Sequence, residues 1–175
     1  MPHPWDMDLG TFYALMAGTC FTLVGLWWTV LERHPSWKTD RLKRKLAGGT
    51  YLSFLLPGLM ATLAQISPDT PLFWRVSFGA CAIVGLGSTV QLLRLDQATI
   101  TGPFRRFRWI VAVLYLLILV LGVAPELARD AGITPLVVGS ILLVLLIVIA
   151  HGLTWEFMME PDESPGPGHR DLSRP

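Results

Sequence analysis

A chain of 175 residues with 52% apolar and only 15% charged residues falls well short of the roughly 25% charge of soluble domains. Its apolar residues are gathered into long runs, which excludes a disordered chain and an ordinary soluble globular domain. Fourteen Lys and Arg against thirteen Asp and Glu leave a formal charge of +1, so partners must be read from where the charges lie.

Residues 1–8 carry Asp6 and Asp8 and are expected to form an extracytoplasmic N-terminus. Residues 9–31 form the first apolar run, without a charge. About 20 such residues, rising about 1.5 Å each, cross a hydrocarbon layer of roughly 30 Å. The acidic flank and the further runs behind it exclude a signal peptide. Thr11, Gly18, Thr22, Gly25, Thr29 and Glu32 return to one side of this helix. Ala14, Gly18 and Thr22 add small residues at four-residue steps, a pattern that lets helices approach closely in lipid. Gly18 and Gly25 therefore read as packing positions, Thr22 and Thr29 as possible pathway-lining groups, and Glu32 as a possible pore mouth. Trp27 and Trp28 read as interfacial anchors.

The connection 32–46 holds six Lys or Arg. Ser36 is expected to cap a short surface helix reaching Leu46, and Lys43, Arg44 and Lys45 could contact anionic lipid. The second run, 47–66, has Pro57-Gly58 at its middle, which predicts a kink, because proline removes a helical donor. In the third run, 72–93, Arg75 sits one turn in, placed to snorkel outward, pair with Asp69 or attract anions to a pore mouth. Ser77, Cys81, Gly85 and Thr89 follow at fourfold spacing. Cys81 and Gly85 read as packing positions, with Ser77 and Thr89 as possible lining groups.

The connection 94–108 is basic again, with Arg105 and Arg106 as possible anionic-lipid contacts. Neither basic cluster resembles a folded nucleic-acid reader, so no nucleic-acid partner is expected. The fourth run, 109–124, has only 16 residues, or about 24 Å of helix. Local thinning of the bilayer, or extension through Phe107 and Leu127, completes the crossing; a re-entrant or surface-lying segment is the competing reading. Its bulky apolar composition predicts the most lipid-exposed crossing. In the fifth run, 133–155, Ser140 and His151 share a face and could add a protonatable group to a polar path. The tail 156–175 is acidic, then rich in Pro and Gly, and reads as disordered.

Basic residues stay on the cytoplasmic side, and both strongly basic connections satisfy that rule if the N-terminus lies outside and the C-terminus inside. The predicted fold is all-α: a polytopic integral membrane bundle of five transmembrane helices over 9–155, in a cell membrane of the bacterial inner-membrane kind. Metal-ligand, phosphate-loop, haem-attachment and nucleophile motifs are missing, and no cofactor is expected. Membrane lipids are expected partners, with a second copy or another membrane protein. The favoured function is an oligomeric passive channel for an ion or small solute. A structural or accessory subunit, or a small membrane enzyme or lipid-binding protein, are the alternatives.

Overall fold

The computed structural model describes residues 9–66, 70–95 and 104–159. The expectations for residues 1–8, for Asp69, for the tail from 160 onward and for the side chains of Arg105 and Arg106 lie outside the described residues. All regular structure among the described residues is helical: α1 (Leu9–Arg33), α2 (Ser36–Thr39), α3 (Arg41–Ile66), α4 (Pro71–Leu95), α5 (Phe104–Val123), α6 (Glu126–Asp130) and α7 (Pro135–Met159). Four of these, α1, α3, α4 and α7, are long and apolar enough to cross a membrane, as expected of a polytopic bundle.

The long helices do not form a simple five-membered cluster. Helices α3, α4, α5 and α7 pack in a closed ring, each against two of the others, while α1 lies outside it against α3 and the edge of α7. One continuous core fills the ring, with Met60, Phe78, Ile118 and Leu143 fully buried, one from each ring helix. We call the end that gathers Arg33, the start of α3, Arg94 and the start of α5 the basic end.

Helix α5 departs from the sequence expectation. It begins at Phe104 and runs 20 residues, or about 30 Å, before Pro125 ends it; Leu127 falls in α6 instead. Far from being the most exposed crossing, α5 buries Val111, Ala112, Leu114, Tyr115, Ile118 and Leu121. Those positions recur every three or four residues, so a helical stripe was hidden within a uniformly apolar stretch.

The α4–α5 seam is tight because glycines stand where the helices touch. A Cβ at Gly85 would overlap the ring of Tyr115, and one at Gly122 would sit 3.1 Å from the Arg75 carbonyl oxygen. Arg75 itself closes the seam. Its Nε donates to the carbonyl of Gly122 at 3.0 Å and its Nη2 to that of Val123 at 2.7 Å. These are terminal carbonyls of α5, which lack donors within their own helix, and a cation there also complements the helix dipole.

Helix α1 is fixed at both ends and in the middle. Tyr13 donates to the Leu136 carbonyl of α7 at 2.7 Å, and the Trp27 indole to that of Ala47 in α3 at 3.1 Å. Between them α1 crosses α3 at Gly58, where a Cβ would lie 2.9 Å from Cys20 Cβ. Helix α3 continues through the buried Pro57. The surface helix expected from Ser36 to Leu46 is instead broken at Asp40. That carboxylate accepts from the backbone N–H groups of Leu42 (2.7 Å) and Lys43 (3.2 Å), which makes Asp40 the N-cap of α3.

Replacing Arg75 with Met is expected to lower stability to denaturant in detergent by about 2–3 kcal/mol, the scale of charge-assisted hydrogen bonds. Gly85→Leu is expected to cost at least about 2 kcal/mol through overpacking against Tyr115. Gly18→Leu in the same assay is expected to leave the unfolding midpoint of the single chain no lower, because nothing lies within 4 Å of a Cβ at that position and leucine is the better helix former.

Candidate functional site

Toward the basic end the ring encloses a cavity of about 350 Å³, within the size range of small-molecule sites. Helix α3 contributes Leu46, Gly49, Thr50 and Ser53; α4 contributes Ser88, Thr89 and Leu92; α5 contributes Arg108, Val111 and Tyr115. The wall is completed by Leu146, Ala150, Leu153, Glu156, Phe157 and Met159 of α7. Arg108 and Glu156 stand at its mouth, each engaged in interactions of its own. Most of the wall is apolar, with hydroxyls set into it at the level of Ser53, Ser88 and Thr89.

The cavity exists because of residue size. Gly49, Ser53, Ser88, Thr89 and Ala150 are small side chains at positions facing the ring axis. Further from the basic end the interior of the ring is filled by core side chains that include Met60, Phe78, Ile118 and Leu143, all fully buried. The space is therefore open toward the basic end and filled beyond its midpoint.

The possible pathway residues named from sequence are not brought together. Thr89 lines the cavity and is buried. Thr22 and Thr29 are exposed on the outer face of α1 and donate to the carbonyls of Gly18 (2.8 Å) and Gly25 (3.4 Å). Ser77 donates to the Phe73 carbonyl and Ser140 to that of Val137. His151 is exposed, its Nδ1–H donating to the Ile147 carbonyl at 2.9 Å, with the Phe54 ring 5.5 Å away. A hydroxyl in an apolar surround satisfies itself locally by bonding the preceding turn, so a polar stripe in the sequence does not by itself make a polar channel.

The two residues assigned to pore mouths are also apart in role. Glu32 is exposed in the last turn of α1, whereas Arg75 ties α4 to α5 by backbone contacts. Of the packing positions, Cys81 and Gly85 face the interior while Gly18 and Gly25 face outward. Among the basic residues of the first connection, Arg44 is exposed and Lys43 and Lys45 are half-buried. Lys45 borders a shallow groove on the outer side of the α3–α4 seam.

Sequence reasoning missed Tyr115, Ser53, Ser88 and Phe157 as lining groups. For Ser53 and Ser88 the signal lay in small or polar residues recurring at matching depths of α3 and α4, visible only once those helices are paired. Tyr115, within its apolar run, and Phe157, in the stretch read as tail, gave none. Sequence reasoning also treated Trp27 and Trp28 alike, as interfacial anchors. Trp27, Trp37 and Trp74 are buried within the chain, while Trp28, Trp109 and Trp155 are exposed. Trp27 and Trp37 form one cluster with Phe157, and His34 stacks on Trp37 with ring centroids 4.4 Å apart.

No grouping of three or more His, Cys, Asp or Glu side chains that could hold a metal ion occurs among the described residues. No family model matches the chain, and no curated protein or solved structure matches it.

Proposed function

We propose that this chain is a multi-pass membrane protein that binds a lipid-like molecule in the cavity of its four-helix ring. In this reading α5 is a fifth crossing and the basic end faces the cytoplasm, which places the cavity at the depth of the inner leaflet. The observation that carries it is the one-sided shape of the interior. A mostly apolar cavity with a few inset hydroxyls opens toward the basic end, and beyond it the ring is filled by a core in which Met60, Phe78, Ile118 and Leu143 are fully buried.

That filled core weighs against passive conduction through a single chain, since an ion would have to pass packed apolar side chains without hydration. A role as a subunit of a larger membrane complex draws on a separate observation. Helix α1 turns Gly18 and Gly25 away from the ring, with nothing within 4 Å of a Cβ at either. Only 17% of its most apolar window is buried. A second copy or another membrane protein on that face is compatible with ligand binding inside the ring.

Native mass spectrometry of the purified protein is expected to retain a lipid-mass adduct on each chain. Thr89→Phe, which fills the cavity, is expected to lose that adduct while keeping the helical content and unfolding transition of the parent. Liposomes containing the parent protein should stay tight to ions under imposed pH and voltage gradients. A chain that carries no adduct but conducts ions selectively would overturn the binding reading in favour of a channel.

A further inference from the structure

The hydrogen-bonding groups that face the cavity are unevenly matched. Thr89 and Ser88 both donate to the Gly85 carbonyl, at 2.8 and 2.9 Å, and Ser53 donates to that of Thr50 at 2.7 Å. Their protons are spent within their own helices, so they offer the cavity only oxygen lone pairs. Tyr115 is the opposite case. It is 2% exposed, lines the same cavity, and its hydroxyl has no hydrogen-bond partner among the described residues. A buried hydroxyl without a partner is costly, and native proteins almost always meet it with protein, water or ligand.

Position adds to this. Helical side chains lean toward the N-terminus of their helix, which for Tyr115 is the direction of the cavity mouth at Arg108. Two helical turns separate these residues, so the Tyr115 Cα lies about 10 Å deeper than that of Arg108 and its ring, leaning back, still stands below the mouth. A ligand whose polar group stayed at the mouth would leave Tyr115 facing hydrocarbon.

We infer that the cavity takes the neutral alcohol headgroup of an amphiphile, with Tyr115 donating to the ligand hydroxyl and that hydroxyl donating in turn to Thr89 or Ser53. This rests on the cavity being an amphiphile site, and it names the chemistry that site selects. An alcohol accepts one hydrogen bond and donates another, which matches one phenolic donor beside several acceptors. A carboxylate or phosphate only accepts; at that depth it would face acceptor oxygens and lose its hydration. An ammonium only donates and leaves Tyr115 unmet.

The route for the apolar chain follows from a shared wall. Gly49, Ser88 and Leu92 line both the cavity and the outer groove along the α3–α4 seam. The partition is the Leu92 side chain lying over Gly49, where a Cβ would be 2.6 Å from Leu92 Cδ1. A leucine rotamer is a light barrier compared with separating two helices. Turning Leu92 aside lets the head enter from the surrounding lipid while the chain remains in the groove.

Two sources supply such a head, a glycerolipid with free glycerol hydroxyls and an isoprenoid alcohol. Binding of 1-oleoylglycerol, farnesol and oleate to the full chain in detergent, read by calorimetry and thermal shift, separates them. At least one of the two alcohols is expected to bind and stabilise, and the better of them identifies the source; oleate is expected to do neither. Tyr115→Phe is expected to weaken alcohol binding about five-fold, the scale of one neutral hydrogen bond. Its ligand-free melting temperature should be unchanged or raised, because the variant removes an unpaired buried hydroxyl. Leu92→Ala is expected to speed alcohol uptake from micelles.

Oleate binding as tightly as the alcohols, or alcohol binding indifferent to Tyr115→Phe, would overturn the headgroup assignment. So would a Tyr115→Phe protein destabilised without ligand, which marks the hydroxyl as structural. An uptake rate unaffected by Leu92→Ala would overturn the lateral route. A phospholipid adduct in the native spectrum with no alcohol binding removes this inference and leaves the amphiphile site standing. Failure of every amphiphile to bind removes both.

Discussion

Between helices surrounded by hydrocarbon there is no water to expel, so a pair holds by close packing and by polar contacts that lipid cannot replace. The α4–α5 seam uses both. Gly85 accepts the Tyr115 ring, Gly122 admits the backbone of α4, and Arg75 supplies donors to the last carbonyls of α5. Helix α5 has the shortest apolar stretch of the long helices, Arg108–Val123. Its place in the ring therefore depends on α4 more than on its own hydropathy. If α5 were displaced, the ring would open and the cavity would lose Arg108, Val111 and Tyr115 together.

Hydroxyl groups illustrate how one residue type takes different parts. Thr22 and Thr89 make the same bond, to the carbonyl four residues earlier, at the same 2.8 Å. Thr22 thereby becomes tolerable on a surface facing an apolar surround. Thr89, turned inward, keeps an oxygen available to a cavity. The chemistry of the side chain is identical; the facing of its helix decides whether that oxygen has anything to meet.

Much of the architecture was legible in the residues because backbone groups in lipid must be satisfied internally, which leaves long apolar helices as the natural reading of such runs. The all-helical class and four of the spans follow from run length alone. Which side of each helix faces inward was less accessible. On α5 the stripe of Val111, Leu114, Ile118 and Leu121 sits among equally apolar neighbours, so composition offered no contrast. On α1 the small residues were read as packing positions and Thr22 and Thr29 as possible lining groups; within the chain it is the other side that is buried, through Tyr13, Ala17, Cys20 and Trp27. Helix ends were hidden where charges suggested loops: α3 starts at Arg41 and α7 continues to Met159, well into stretches read as connection or tail. The cavity was invisible because it arises from Ser53 and Thr89 standing at one depth on different helices, a relation that no single segment records.

Phe157 belongs to two structures at once. It lines the cavity, and its ring lies 4.6 Å from that of Trp37 and 6.3 Å from that of Trp27. An occupant that shifts this ring alters the surroundings of two indoles held in a confined site. The protein thus carries its own optical reporter: tryptophan emission and near-ultraviolet circular dichroism would register any occupant that moves Phe157, with no label attached.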